Sequence, residues 1–336
     1  MELEPLMTTS TGSLPRPGWL GVTERARVSF NLQGEALEEA IRDATALVIR
    51  EQEDLGIDIL TDGEQRRESF VYQAAKTWDG VDHTNLGVKT KYRGRDDTHH
   101  VVRIVGPIKR RGPALVDEVT TAKSFSNRPL KVAIAGPLTV VDSTLDEHYH
   151  DEKKLAMDAA AAINEELLDL QQAGADFLQL DEPAMTRYHD KVFAFGAAAL
   201  DRCLQGINVP TFVHLCYGYP LGQKQQHHFT YPELLDRLMQ TKISGFTVEF
   251  GRSPFDPAVL APYKDKLVMF GCIDPGNTPA PTVADVKARV ASALKYVGPS
   301  RLLLAPDCGL MTISRKLARE KLSVMVQAAR ELRADL

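Results

Sequence analysis

Thr211-Phe212-Val213-His214-Leu215-Cys216 is a short apolar run that ends in an imidazole and a thiol. The body of the run is too short and too β-branched for a helix and reads as a buried strand. Residues i and i+2 of a strand face the same way, so His214 and Cys216 can reach one ion. Two other runs carry comparable tips. Gly245-Phe246-Thr247-Val248-Glu249 ends in a carboxylate, and Leu302-Leu303-Leu304-Ala305-Pro306-Asp307 is followed by Cys308. These four side chains meet only if separate strand ends converge, which makes the metal reading a statement about the fold.

The same design recurs along the whole chain. Apolar or β-branched runs fall at 6–11, 57–61, 131–135, 177–180, 211–215, 245–249, 266–270 and 302–305. Most are separated by stretches of helical periodicity, such as 35–55, 153–173, 231–240, 283–296 and 314–332. Strand-helix alternation implies a parallel sheet, and about eight repeats imply a (β/α)8 TIM barrel. A doubly wound open sheet is the alternative, because alternation alone does not show closure. Polar residues cluster just after the runs: Ser10 to Ser13, Asp62-Gly63-Glu64, Gly136-Pro137, Asp181-Glu182-Pro183, His214 and Cys216, Glu249, Cys272 and Asp274, and Asp307-Cys308-Gly309. Hydrophobic bodies with polar tips are what a barrel with its site at the C-terminal strand ends requires.

The polar stretch 80–107, which includes His99 and His100, breaks the alternation and reads as a hairpin-like insertion after the second strand. No linker long enough to divide the chain is visible, so residues 1–336 are expected to form one barrel domain. With 43% hydrophobic and 25% charged residues the chain can bury a sizeable core. Its net charge of −5 and single short basic run, Lys109 to Arg111, exclude a nucleic-acid footprint. No signal-like segment opens the chain and no apolar run approaches a membrane span, so a cytoplasmic protein without a membrane partner is expected. Four cysteines in a chain of this length are no disulfide framework and are better read as ligands or buried thiols.

Zinc suits two thiolates, an imidazole and a carboxylate. Cys272, also at a strand end, competes with Cys308 as a ligand, and Cys203 falls in a helical pattern as an interior thiol. Zinc ligands spread over separate strand ends favour catalysis over a structural role, with Glu249 free to leave when a substrate enters. A zinc-bound thiol is deprotonated at neutral pH, which points to alkyl transfer onto sulfur. Asp181 and Glu64 could hold the ammonium group of an amino-acid substrate, and Ser13 its carboxylate. Arg66, Arg67 and Arg252 lie near the same strand tips. His148 and His150 read as loop residues, and His227-His228 as part of a solvated Gln-rich loop.

At these residues the chain resembles the catalytic C-terminal barrel of cobalamin-independent methionine synthase. The likeness is carried by Thr9-Ser10-Thr11-Gly12-Ser13-Leu14-Pro15, Asp62-Gly63-Glu64, Gly136-Pro137-Leu138-Thr139, Gln179-Leu180-Asp181-Glu182-Pro183-Ala184, His214-Leu215-Cys216-Tyr217 and Pro306-Asp307-Cys308-Gly309-Leu310. It implies a zinc-dependent methyltransferase that converts homocysteine to methionine. His214, Cys216, Glu249 and Cys308 match the family's zinc ligands, and Thr11, Ser13, Glu64 and Asp181 its homocysteine-binding positions. Three departures concern the methyl donor. The long enzymes carry an N-terminal barrel that helps hold the folate tail, and this chain shows none. The family's pterin-stacking tryptophan, after the Gly-Pro-x-Thr motif, is absent, since this chain reads Val140-Val141-Asp142-Ser143, and Gly276 lies near the position of its acid histidine. The short, single-barrel branch is therefore the expected place, with a methylcorrinoid, its carrier protein or another donor in place of folate polyglutamate. Three readings compete: a zinc-dependent transferase acting on another thiol, similar to epoxide:thiol transferases; a zinc-holding barrel without catalysis; and a decarboxylase-like barrel that needs neither Cys216 nor Cys308.

Overall fold

A computed structural model describes residues 3–24, 27–92, 95–217, 230–253 and 255–336. Six strands, Lys131–Ala135, Phe177–Asp181, Thr211–His214, Gly245–Glu249, Leu267–Ile273 and Leu302–Pro306, pair in parallel in chain order. Residues 6–11 and 57–61 close the ring through single parallel bridges: Leu304 to Thr8, Thr9 to Ile59, and Leu60 to Leu130. Hydrogen bonds mark both seams, from Thr9 N to Leu304 O at 2.9 Å and from Lys131 N to Leu60 O at 2.8 Å. The parallel sheet is thus a closed barrel, and the open-sheet alternative is excluded.

These first two segments are shorter as strands than their composition suggests. Side chains replace part of the ladder there. Thr8 N donates to Asp58 Oδ2 at 2.7 Å, and Thr61 N donates to Gln52 Oε1 at 3.1 Å. A backbone group satisfied by a side chain has no need of a neighbouring strand.

Strand alternation divides the core. Met7, Ile59, Phe177, Phe212, Met269 and Leu303 form one cluster, while Leu178, Leu180, Val213, Val248 and Phe270 belong to the larger one under the helices. Two residues beyond Phe177 and Phe212 lie Gln179 and His214, with Thr247 paired to His214 on the next strand, and two further on lie Asp181, Cys216 and Glu249. One face of each strand therefore runs from apolar base to polar tip.

The helices start and stop where short-range chemistry says. Helix Gly34–Leu55 ends at Gly56, whose φ of 86° needs no Cβ. Helix Glu152–Gln172 begins at Asp151, whose carboxylate accepts from Lys154 N. Thr282 and Asp285 form a reciprocal cap at the start of Val283–Leu294. Among the described residues no helix is long and apolar enough to cross a membrane.

The insertion is a long antiparallel hairpin, Trp78–Tyr92 and Arg95–Arg110, to which the short strand Leu145–Asp146 adds in parallel. Its Lys89 ammonium donates to the carbonyls of Val141, Asp142 and Thr144, at the end of helix Pro137–Ser143. A second, small hairpin, Gly21–Glu24 with Arg27–Phe30, carries no alternation strong enough to have been read from sequence.

Candidate metal centre

His214 ends its strand, and Cys216 follows two residues later on the same face. Glu249 ends the next strand, and Cys308 lies just past Leu302–Pro306. One ligand atom from each of these four residues lies within 4.8 Å of the other three. The Cys216 and Cys308 sulfurs are 3.6 Å apart. A disulfide needs about 2.0 Å, so the two sulfurs are not bonded to each other. His214, Cys216 and Glu249 are buried and Cys308 is partly exposed. Cys272 stays outside the group and packs in the main apolar core, and Cys203 is fully buried at the end of helix Ala197–Cys203.

Neither His214 ring nitrogen makes a well-formed hydrogen bond, and Glu249 Oε1 has no partner. A buried polar atom left unsatisfied costs about 1–3 kcal/mol. Three such atoms facing two thiols are best explained by a cation they would share. Zinc fits the donor set, nitrogen, oxygen and two sulfurs.

The electrostatics agree. Burial, followed by the Lys131 ammonium, pushes His214 down to about 3, against a weaker pull from the Thr247 carbonyl. Burial raises Glu249 well above the usual carboxylate range, and Cys216 and Asp307 add to it. A divalent cation reverses this logic, since it favours the ionised carboxylate and thiol and takes the neutral imidazole as it is.

A second set of contacts holds these four side chains. Glu249 N donates to Tyr231 OH at 2.9 Å, and that hydroxyl donates to Leu215 O at 3.1 Å. Tyr217 N donates to Glu249 Oε2 at 3.2 Å, and Thr186 Oγ1 to Cys216 O at 2.8 Å. Asp307 is fully buried. Its Oδ1 accepts from Phe250 N at 3.2 Å and Gly251 N at 2.7 Å, and its Oδ2 from Arg252 N at 2.7 Å. It thereby ties the turn after Glu249 to the residue before Cys308. Burial, working against those three bonds, lifts Asp307 to about 7.

The other residues singled out from sequence gather beside this centre. Asp181 pairs with His214 across adjacent strands. Burial first, and then the Glu64 carboxylate, raise Asp181 to about 7. Glu64 is buried in a left-handed turn with φ of 56°. Thr11 is buried and its hydroxyl donates to Pro306 O at 2.6 Å. Ser13 lies against Gly309, where a Cβ would come within 2.0 Å of its hydroxyl oxygen. Only glycine lets Ser13 sit that close to the Cys308 loop.

Of the three arginines, Arg66 pairs with Glu38 at the surface and Arg67 is buried, while Arg252 enters through its backbone bond to Asp307. His148 and His150 are exposed, and His227-His228 lies outside the described residues. Lys131 and Gln179 are buried functional candidates that no pattern along the chain singles out. Lys131 Nζ donates to Thr11 O and to Gln179 Oε1, both at 2.7 Å, and Gln179 Nε2 donates to Asp181 Oδ1 at 2.8 Å. Glu182 is another: its oxygens accept from Leu138 N and Thr139 N, each at 2.9 Å, which couples the Gly-Pro-Leu-Thr and Asp-Glu-Pro motifs.

The sequence profile described as "Cobalamin-independent synthase, Catalytic domain" matches residues 6–331. Methionine synthase of Sulfolobus acidocaldarius is 33% identical over 342 residues, covering 100% of this chain and 94% of the relative. Methionine synthase of Pyrococcus furiosus is 32% identical, covering 100% of this chain and 95% of the relative. Among solved structures, a B12-independent methionine synthase from Shewanella sp. W3-18-1 in complex with selenomethionine superposes with a TM-score of 0.92 at 33% identity, over 99% of both chains. A putative vitamin-B12 independent methionine synthase from Listeria monocytogenes, at 20% identity and a TM-score of 0.76, shares the fold.

Proposed function

Because this chain belongs to the cobalamin-independent methionine synthase family, we propose that it transfers a methyl group to the thiol of homocysteine and so forms methionine. The observation that carries the reading is the convergence of His214, Cys216, Glu249 and Cys308 within 4.8 Å, with the His214 nitrogens and Glu249 Oε1 making no well-formed hydrogen bond. The Shewanella relative was solved with selenomethionine, the selenium analogue of the proposed product, which supports the same assignment.

A zinc ion held by these four residues would supply the positive charge that keeps the acceptor thiol deprotonated at neutral pH. Glu64 and Asp181 receive the substrate ammonium, and Ser13 and Thr11 orient its carboxylate. The homocysteine sulfur attacks the donor's methyl carbon in line. A carbon–sulfur bond forms, the donor's bond to the methyl group breaks, and the electron pair leaves with the donor. Pre-positioning of acceptor and donor supplies much of the rate.

The donor is read as a methylated group other than polyglutamyl folate, a methylcorrinoid or its carrier protein being the leading class. Val140, Val141, Asp142 and Ser143, all buried in helix Pro137–Ser143, offer no aromatic surface on which a pterin ring would stack.

X-ray absorption on the zinc-loaded protein tests the reading. Homocysteine should add one sulfur to the first shell and displace an oxygen or nitrogen. An unchanged shell at saturating homocysteine, or turnover that survives Cys308→Ser with full metal content, would count against it. Turnover with methylcobalamin and with a methylated folate triglutamate then separates the donors.

A further inference from the structure

Glu64 does not stand alone. Arg67, fully buried, directs Nε at Glu118 Oε2, 2.8 Å away, and its Nη2 is also 2.8 Å from that oxygen. Its Nη1 donates to Ala133 O at 2.7 Å and lies 3.4 Å from Glu64 Oε1. Glu118, on helix Val116–Lys123, is buried too. Arg16 reaches the same turn from the other side. Its Nη2 donates to the carbonyls of Glu64 and Arg67, the latter at 2.8 Å, and its Nε donates to Gln65 O at 3.3 Å. Asp62 Oδ1 accepts from Glu64 N at 3.1 Å.

This arrangement divides one cation unequally between two carboxylates. Arg67 gives Glu118 Oε2 a short hydrogen bond from Nε and gives Glu64 only a long contact. Among the described residues, the four carboxyls of Glu64, Asp62, Glu118 and Asp181 face the three bases of Arg16, Arg67 and Lys131; burial raises Glu64, Glu118 (to about 8) and Asp181 (to about 7), so the carboxyls carry their full charge only when a further cation joins them. A buried charge without a partner is expensive, so a set with this deficit favours a ligand that brings a cation.

We propose that Arg67 and Glu118 are positioning residues: Glu118 occupies the Arg67 guanidinium so that Glu64 is held in place without being neutralised, and stays open to the ammonium group of the substrate. The inference rests on the homocysteine reading and adds to it the source of the site's preference for an amino-acid thiol. Neither residue touches the substrate. With Glu118 uncharged, the guanidinium turns its full charge on Glu64, and the deficit that draws an ammonium disappears.

Calorimetric binding to the full-length, zinc-loaded protein tests this with two thiols, homocysteine and 4-mercaptobutyrate, which lacks only the amino group. Wild type should prefer homocysteine. Glu118→Gln should cut that preference about tenfold, the usual scale for one nearby charge, by weakening homocysteine while 4-mercaptobutyrate holds. Glu118→Met, which removes the charge without leaving an unpaired amide, should do the same if the glutamine variant fails to fold. Glu118→Asp should restore the preference. Equal weakening of both thiols, or a preference unchanged in Glu118→Gln and Glu118→Met, overturns the inference alone. A wild-type protein that binds the two thiols alike overturns the homocysteine reading and this inference together.

Discussion

Asp307 occupies the space that Gly271 leaves open on the neighbouring strand: a Cβ on Gly271 would lie 2.4 Å from Asp307 Oδ1 and 2.8 Å from Val248 O. Gly271 in turn pairs with Glu249 across the sheet. The missing side chain thus lets one carboxylate bind three successive amides beside a ligand. Gly271→Ala should displace Asp307 and destabilise the fold by about 1–3 kcal/mol, the scale of overpacking. Zinc affinity should fall with it. Calorimetric melting and zinc titration on the same preparation check both, and a variant that melts and binds like wild type rules out the need for this close approach.

Removing a ligand should cost more than removing its support. Cys308→Ser and His214→Ala are expected to weaken zinc by well over the ~10–100-fold typical of outer contacts, and to abolish methyl transfer. Elemental analysis after dialysis against a weak chelator reads the first effect and a homocysteine assay the second.

Tyr231→Phe isolates a supporting contact. The ring stays and the hydroxyl that joins Leu215 O to Glu249 N is lost. A buried bond of this kind contributes about 1 kcal/mol, and an outer contact about tenfold in metal affinity. Loss of affinity without loss of melting temperature would place the hydroxyl's role at the ion rather than in the core.

The pH dependence of the chelator-treated protein follows from His214. Its folded pKa, about 3, lies below the ordinary 6.5. Between those values the unfolded chain binds the proton and the folded chain does not. The contribution is therefore complete above pH 6.5 and is lost progressively as pH falls toward 3. At pH 5 the loss is about 2 kcal/mol at about 1.4 kcal/mol per unit. Denaturant melts of wild type and His214→Gln at pH 7 and pH 5 should diverge by that amount. Parallel curves would show that His214 is not held neutral.

The convergence of His214, Cys216, Glu249 and Cys308 was legible because such residues are rare at the ends of apolar runs. His214 and Cys216 are two apart, and Cys308 follows an unbroken aliphatic stretch. The eight-segment order was legible for a similar reason, since apolar runs and helical periods alternate. The closing seams were not. Thr8 and Asp58 exchange hydrogen bonds through their side chains, and that substitution for a ladder has no pattern along the chain. Lys131 and Gln179 alternate with apolar neighbours as solvent-facing residues would, yet they face the barrel's interior chemistry. Arg66 and Arg67 show the limit most clearly. Adjacent and identical, one meets Glu38 at the surface and the other is buried against Glu118. Their difference comes from a helix about fifty residues later.

The 3.6 Å gap between the Cys216 and Cys308 sulfurs has a consequence for handling and for the cell. With no ion between them, the two thiols are one two-electron oxidation from a cystine, and closing the gap to about 2.0 Å asks only a small movement of two strand ends. Cys308 is partly exposed, so a dissolved oxidant can reach it. Air oxidation of the metal-free chain should therefore be self-sealing: a bridge between the two sulfurs would bar an ion from entering, and a reductant would have to precede zinc.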